Sequence, residues 1–274
     1  MYLNLNAQLL PHWPPALEQV QRALFYGDAL FETCRVLDGH LPLWERHWAR
    51  LSRGLALLGI ELPDGWNAAF FRQEILRTAP PNARARLTVW RQAGGLYLPE
   101  QHRAEFLITC QPLDTNRFEW LEPGLELGLC QRVRLPLDDF SNLKTMNAAR
   151  YAAAAREARE AGWQDGLLLN SRDRICEASA SNIFWWEGER LLTVPLSEGC
   201  VAGVLREALL EFARTLALPV QEKSATFATL QAADEIFLTN AVRGIMPVRI
   251  FAGRKTSQEH TRKLHAAFST ALVS

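Results

Sequence analysis

Strand-like and helix-like segments follow one another along these 274 residues without the regular strand–helix–strand alternation of a doubly wound parallel sheet. That irregular order is what most constrains the fold, and it predicts an α+β (mixed α/β) chain. Residues 1–10 alternate like a strand until the proline-rich HWPP breaks them. In FYGDALFETCRVLDGHLPLW two β-like runs flank Asp38-Gly39, a hairpin signal. Residues 45–60 have apolar positions at helical spacing, and a second helix is expected over 66–78, ended by Pro80-Pro81. Residues 83–90 alternate again, which puts Arg84, Arg86, Thr88 and Trp90 on one face, and 105–110 form a short apolar strand. The polar, proline-containing stretch 112–120 reads as a linker between two α/β units, 1–111 and 121–274.

In the second unit a strand near 125–132 precedes NLKTMNAARYAAAAREAREA, residues 142–161, which places Lys144 at the mouth of an alanine-rich helix. Residues 166–170 and 175–186 are expected strands around a polar turn at 171–174, followed by a strand at 190–194, a helix at 204–216 and a strand at 235–239. No repeat of solenoid period is present.

Formal net charge is zero and opposite charges are interspersed, so neither a nucleic-acid nor a membrane-surface partner is expected. A small neutral or anionic ligand is expected instead. Cys34, Cys110, Cys130, Cys176 and Cys200 are odd in number and widely spaced, with no CxxC pair, which argues against a disulfide framework and against a zinc site. They read as buried thiols in a reducing compartment. The first fifteen residues lack a basic region followed by an apolar core, and no apolar run reaches membrane-spanning length. A soluble cytoplasmic protein is the expectation.

Lys144 is one of only four lysines; Lys223, Lys255 and Lys263 sit among polar residues, and the remaining basic residues are arginines, which cannot act as amine nucleophiles. Between Leu143 and Met146, burial would lower its pKa and free the amine for attack on a carbonyl. Four other places fit around it. Glu177 is an acid within an otherwise apolar, small-residue strand, where a carboxylate needs a cation or donor. Gly203 precedes an amphipathic helix whose first amides suit a phosphate. Thr239, Asn240 and Ala241 lead into a turn before Gly244 that can offer donors to an anion. Arg50, on the helix ERHWARL, has the planar fork that binds phosphate. Each feature alone has an ordinary structural explanation. Together they supply what a phosphorylated aldehyde cofactor needs.

From FYGDALFETCRV through HWARL, NLKTMN, CEASASNIFWW and GVLRE to FLTNAVRGIMPV, the chain resembles the fold type IV pyridoxal-phosphate enzymes. These are the family of branched-chain and D-amino-acid aminotransferases and of 4-amino-4-deoxychorismate lyase. The resemblance implies a two-domain fold and pyridoxal 5'-phosphate as cofactor. It makes Lys144 the Schiff-base lysine, Glu177 the partner of the pyridine nitrogen, Arg50 a phosphate ligand, Val204 and Leu205 the helix-start amides on the phosphate, and Asn240 and Ala241 the second phosphate turn. It also implies a homodimer with active sites completed near the subunit interface.

Within the family the last motif, with Asn240 and its Gly244-Ile245-x-Pro247-Val248 ending, is similar to the lyase form, as are GVLRE and Thr33. Phe31-Glu32 matches the aminotransferases instead, and the loop WRQAGGLYLP departs from better-known lyases. The resemblance therefore implies conversion of 4-amino-4-deoxychorismate to 4-aminobenzoate and pyruvate, a step towards folate. The alternatives are a branched-chain or D-amino-acid aminotransferase and a non-catalytic binder of the cofactor. A small-molecule amine substrate with two carboxylates needs cationic partners. The candidates are Arg86, Arg91 at the end of the same strand, and Arg243 beside the phosphate turn, with Phe31 and Thr33 lining the substrate.

Overall fold

The computed structural model describes residues 3–5, 8–10 and 14–272, with the backbone alone for 3–5, 8–10 and 15. In chain order the elements are β1 (Leu3–Leu5), β2 (Gln8–Leu10), α1 (Pro15–Gln19), α2 (Gln21–Tyr26), β3 (Ala29–Val36), α3 (Trp44–Leu58), α4 (Ala68–Thr78), β4 (Ala83–Arg91) and β5 (Ala104–Pro112). They continue with β6 (Leu125–Leu135), α5 (Ala149–Glu160), β7 (Asp165–Asn170), β8 (Ile175–Ala178), β9 (Asn182–Glu187), β10 (Arg190–Thr193), α6 (Val204–Thr215), β11 (Val220–Glu222), α7 (Phe227–Ala232), β12 (Glu235–Asn240), β13 (Gly244–Phe251), β14 (Arg254–Lys255) and α8 (Glu259–Ala271). The mixed α/β composition expected from the sequence is what the chain adopts. Of the opening ten residues, Leu3–Leu5 and Gln8–Leu10 pair as two short antiparallel strands, not one; the rest of that stretch and most of HWPP lie outside the described residues.

Two larger sheets divide the rest. A three-stranded antiparallel sheet, in the order β3-β4-β5, uses residues 29–112 only. A nine-stranded mixed sheet, in the order β11-β10-β9-β12-β13-β6-β7-β8 with β14 beside β13, uses residues 125–255. Here β6 runs parallel to both β7 and β13, β11 runs parallel to β10, and the remaining pairs are antiparallel.

The alternation in β4 works as the sequence predicts. Ala83, Ala85, Leu87 and Val89 are buried against α3 and α4, while Arg84, Arg86 and Thr88 face the other way. The α3 stripe of Leu51 and Leu55 closes on Leu30 of β3 and on Phe71 and Ile75 of α4. Each such buried side chain is worth roughly 1.5–3 kcal/mol. Gly54 is what allows the close approach, since a Cβ there would lie 2.6 Å from the Leu30 side chain. Helix α4 is started by Asn67, whose side chain accepts from the Phe70 amide, and it stops ahead of Pro80-Pro81. The nine-stranded sheet buries Leu127, Leu168, Trp185, Ile236 and Val248 on one side. On the other side α6 and α8 cover Phe184, Trp186 and Phe237.

Three expectations need correction. Asp38 and Gly39 do form a tight turn, both at positive φ, but only a single bridge, Leu37 to His40, follows it. Instead β3 pairs with β4, because the chain turns into α3 within a few residues. Lys144 is not on a helix: α5 starts at Ala149. The segment around Lys144 lies along the outer edge of β3, with the Phe31 amide donating to the Lys144 carbonyl at 2.9 Å and the Met146 amide to Ala29 at 3.0 Å. An edge strand carries unpaired backbone groups, and this segment satisfies them. Residues 175–186 are two strands broken at 179–181, with β8 paired to β7 and β9 to β10 and β12.

Candidate active site

A cavity of about 670 Å³ is enclosed by β3 and β4, by the segment carrying Lys144, by the 179–181 break, by the start of α6 and by the turn after β12. Of the residues expected at the site, Arg50, Lys144, Glu177, Val204, Leu205, Asn240, Ala241, Phe31, Thr33, Arg86 and Arg243 all line it. They come from stretches far apart in sequence and are gathered because both sheets turn an edge or a strand end towards the same space.

Lys144 Nζ lies 3.6 Å from the centre of the Phe31 ring, and the Arg86 guanidinium lies 3.7 Å from the same ring. Loss of solvent, and then the neighbouring cation of Arg50, push the Lys144 pKa down to about 7. The amine therefore loses its proton near neutrality, as nucleophilic and proton-transfer roles require.

Glu177 of β8 is 3% exposed. Its Oε1 accepts from the Tyr151 hydroxyl at 2.7 Å, and Oε2 accepts from Asn182 Nδ2 at 3.2 Å and from the Val201 amide at 3.1 Å. Burial outweighs these donors and pushes its pKa up to about 7. A carboxyl so held is ready to share a proton with a basic nitrogen placed against it.

At the other end of the cavity Gly203 caps α6 with no side chain, so the Val204 and Leu205 amides face the space uncapped. Opposite them Thr239 is 1% exposed, and its Oγ1 has no hydrogen-bond partner among the described residues. A buried hydroxyl without a partner is costly and marks a missing acceptor. Asn240 Oδ1 accepts from the Val242 and Arg243 amides, while its Nδ2 donates to Ser181 Oγ at 3.1 Å. Arg50 closes this end. Its Nε and Nη2 donate to Glu32 at 2.8 and 2.5 Å, and its Nη1 donates to the Ala202 carbonyl at 2.8 Å. Two of its five N–H donors remain. Burial alone would raise the Glu32 pKa, but Arg50 and the His47 hydrogen bond, at 2.6 Å, bring it down to about 2.

The start of α6 leaves no room for a side chain: a Cβ on Gly203 would stand 1.8 Å from Asn182 Oδ1. Gly203→Ala is expected to displace Asn182 from both Glu177 and the Val201 carbonyl. The expected cost is about 1–3 kcal/mol, read as a lower midpoint in urea unfolding, with weaker retention of cofactor on dialysis.

Arg91 is the one expected site residue that lies elsewhere. Its odd position in β4 puts it on the face opposite Arg86. There Nε donates to Asp28 Oδ2 at 2.8 Å and the Nη groups to the carbonyls of Gly59 and Leu58. The residues that hold the site from behind, Tyr151, Asn182, Glu32 and His47, were not among the expected site residues, and neither were Arg84 and Arg150, which also line the cavity. Only the Glu32 position carried a signal, as an acid inside a buried strand.

An uncapped helix start, an unpartnered buried threonine hydroxyl and the Arg50 fork fit a phosphate, while Lys144 and Glu177 fit an aldehyde and a pyridine nitrogen at the far end. Among the described residues no cluster of three or more His, Cys, Asp or Glu is arranged to hold a metal, and no helix is long and apolar enough to cross a membrane.

Comparison with known proteins agrees with this chemistry. Residues 29–251 match the family described as "Amino-transferase class IV". The chain is 28% identical over 230 residues to "Aminodeoxychorismate lyase" of Vibrio harveyi, covering 83% of this chain and 84% of that one. It is 34% identical over 231 residues to "Probable branched-chain-amino-acid aminotransferase" of Thermotoga maritima, covering 81% and 76%. Among solved structures, 4-amino-4-deoxychorismate lyase from Pseudomonas aeruginosa superposes with a TM-score of 0.79 at 32% identity, covering 94% of this chain and 95% of that one. The family match spans the cavity on every side, and with it the chain belongs to the class IV amino-transferases, whose cofactor is pyridoxal 5'-phosphate.

Proposed function

We propose that this enzyme is a lyase that converts 4-amino-4-deoxychorismate to 4-aminobenzoate and pyruvate. The observation that carries this reading is the unpaired cations in the cavity lining, Arg84, Arg86 and Arg243, which a substrate with two carboxylates needs and a branched aliphatic side chain does not. The similarity to two lyases supports it.

Pyridoxal phosphate supplies an aldehyde for the substrate amine and a ring that accepts electrons. The chain's own groups do the rest. Lys144, with an amine that is neutral near pH 7, takes the proton from the substrate ring carbon. Glu177, held by Tyr151, Asn182 and the Val201 amide, keeps a proton at the pyridine nitrogen. Cleavage of the ring C–O bond then releases the enolpyruvyl group as an enolate and leaves the aromatic ring, and the proton taken by Lys144 balances the one that the enolate carbon gains to become pyruvate. The Phe31 ring packs beside both Lys144 Nζ and the Arg86 guanidinium and holds them at the reacting end without neutralising the Arg86 charge.

The second reading is an aminotransferase, favoured by Phe31-Glu32 and by the Thermotoga relative. The protein loaded with cofactor and given 4-amino-4-deoxychorismate without any keto acid separates the two. Equal, catalytic amounts of 4-aminobenzoate and pyruvate are expected. Turnover only after a keto acid is added would replace the lyase with the aminotransferase. We also propose the division into 1–111 and 121–274 with 112–120 between them, because each large sheet draws on one side of that stretch alone. Assembly as a homodimer, on the family resemblance, belongs to the same proposal, as do a place in folate synthesis and the cytoplasm.

A further inference from the structure

Five arginines line the active-site cavity, and four of them, Arg84, Arg86, Arg150 and Arg243, form no ion pair among the described residues. Four of the five buried arginines are matched by a carboxylate, Arg22 and Arg91 by Asp28, Arg50 by Glu32 and Arg206 by Glu222, and the fifth, Arg35, gives its donors to three backbone carbonyls. The two carboxylates that line the cavity are committed elsewhere. Glu177 takes Tyr151, Asn182 and the Val201 amide, and Asp138 accepts from Ser141 and the Phe140 amide.

Arg84 and Arg86 differ from the other two in being half-buried and in sitting two residues apart on one strand. Alternation directs both to the same face, with Cα atoms about 7 Å apart. Across the strand pair Arg84 faces Arg35 and Arg86 faces Thr33. Arg35 gives its donors to the carbonyls of Val242, Thr115 and Arg117. Arg84 and Arg86 find neutral partners and no counter-charge: Gln111 at 3.4 Å for the first, Thr88 at 3.3 Å, the Met146 sulfur at 3.1 Å and the face of the Phe31 ring at 3.7 Å for the second. Two neighbouring cations that lose solvent without a counter-charge repel each other, at a cost to folding. The burial of Arg86 and the proximity of Arg84 both hold its pKa below the usual guanidinium value. Such an arrangement is relieved by an anion that reaches both.

We propose that Arg84 and Arg86 form a two-carboxylate subsite, one guanidinium to each carboxylate, which selects a flat amine substrate carrying two carboxylates over one carrying a single carboxylate. The inference rests on this cavity being the substrate site, but not on which reaction follows. It adds Arg84 to the substrate machinery and gives Arg86 a partner. The guanidinium fork matters as well as the charge, since each fork can meet a carboxylate with two parallel N–H donors.

The test is calorimetric titration of the cofactor-loaded protein with isophthalate, a planar ring bearing two carboxylates, and with benzoate, which bears one. Isophthalate is expected to bind at least about 10-fold tighter, the factor given by one charge-assisted hydrogen-bonded contact. Arg84→Met and Arg86→Met should each reduce isophthalate binding by about 10-fold or more and bring it close to benzoate. Arg84→Lys should recover part of the loss. Because the two cations repel, Arg84→Met is expected to keep or raise the midpoint of urea unfolding, which separates a lost ligand from a lost fold. Equal affinity for the two acids in the unaltered protein, or an isophthalate preference that survives both methionine variants, overturns the subsite. If isophthalate is preferred and no 4-aminobenzoate is formed, the subsite stands and the lyase reading falls. Product without that preference leaves the lyase and removes the subsite.

Discussion

Lys144→Ala is expected to lower turnover by about 10⁴-fold or more and to remove covalent attachment of the cofactor, because one amine serves as both nucleophile and proton carrier. Borohydride reduction followed by mass measurement of the tryptic peptides reads the attachment, which is expected at Lys144 in the unaltered protein and nowhere in the variant. Lys144→Arg should not rescue, since a guanidinium keeps its proton throughout the working range. The pH dependence follows from the direction of the pKa. Burial first, and the Arg50 cation second, lower it to about 7, so the neutral amine prevails above that pH. The kcat of the unaltered enzyme, which reports the complex in which substrate has freed the Lys144 amine, should rise as pH passes upward through about 7. A Lys144→Ala protein with ordinary turnover would remove this residue from the chemistry altogether.

The second large effect is expected from Glu177→Gln. The carboxylate accepts three hydrogen bonds, and an amide can keep all three positions. Its oxygen meets Asn182 and the Val201 amide, and its nitrogen donates to the Tyr151 oxygen. Packing is therefore preserved while the acid is lost. A drop in kcat of roughly 10²–10³-fold is expected, typical of removing one electrostatic support from a reacting centre. A shift in the absorbance of the bound cofactor should accompany it, because its ring nitrogen no longer shares a proton.

Stability gives an independent readout. In the folded cofactor-free protein Glu177 holds its proton up to about 7, against an ordinary value of 4.5. Between those pH values the folded state binds more protons than the unfolded one, so this residue makes stability fall as pH rises. Glu177→Gln should flatten that part of the urea-midpoint profile. An unchanged profile together with unchanged kcat would show that the buried acid is only structural.

Much of this was legible in the chain itself. The alternation in β4 separates Arg86 from the core residues around it, and the scarcity of lysine singles out Lys144. Glu177 stands out because a carboxylate in an apolar strand demands donors. Arg91, expected at the site as the end of the same strand, lies away from it because period two puts it on the face opposite Arg86. The alanine-rich run puts Lys144 at the mouth of a helix because helix propensity is local, while the pairing of the lysine segment with the edge of β3, after which α5 starts only at Ala149, is not. The break at 179–181 was hidden for the same reason. A run of apolar and small residues reads as one strand until two different neighbours, β7 and β10, divide it.

Side-chain type and spacing along the chain limit which residues can serve as an amine, an acid or a phosphate-binding amide. What those groups become depends on how the chain packs. The pKa of Lys144 depends on burial against Phe31 and Arg50. The protonation of Glu177 depends on Tyr151, Asn182 and Val201, and the use of Arg84 and Arg86 on the lack of any carboxylate across from them. Those are electrostatic and solvation effects set by distances between separate segments of the chain, and they exist only once the two sheets border the same cavity.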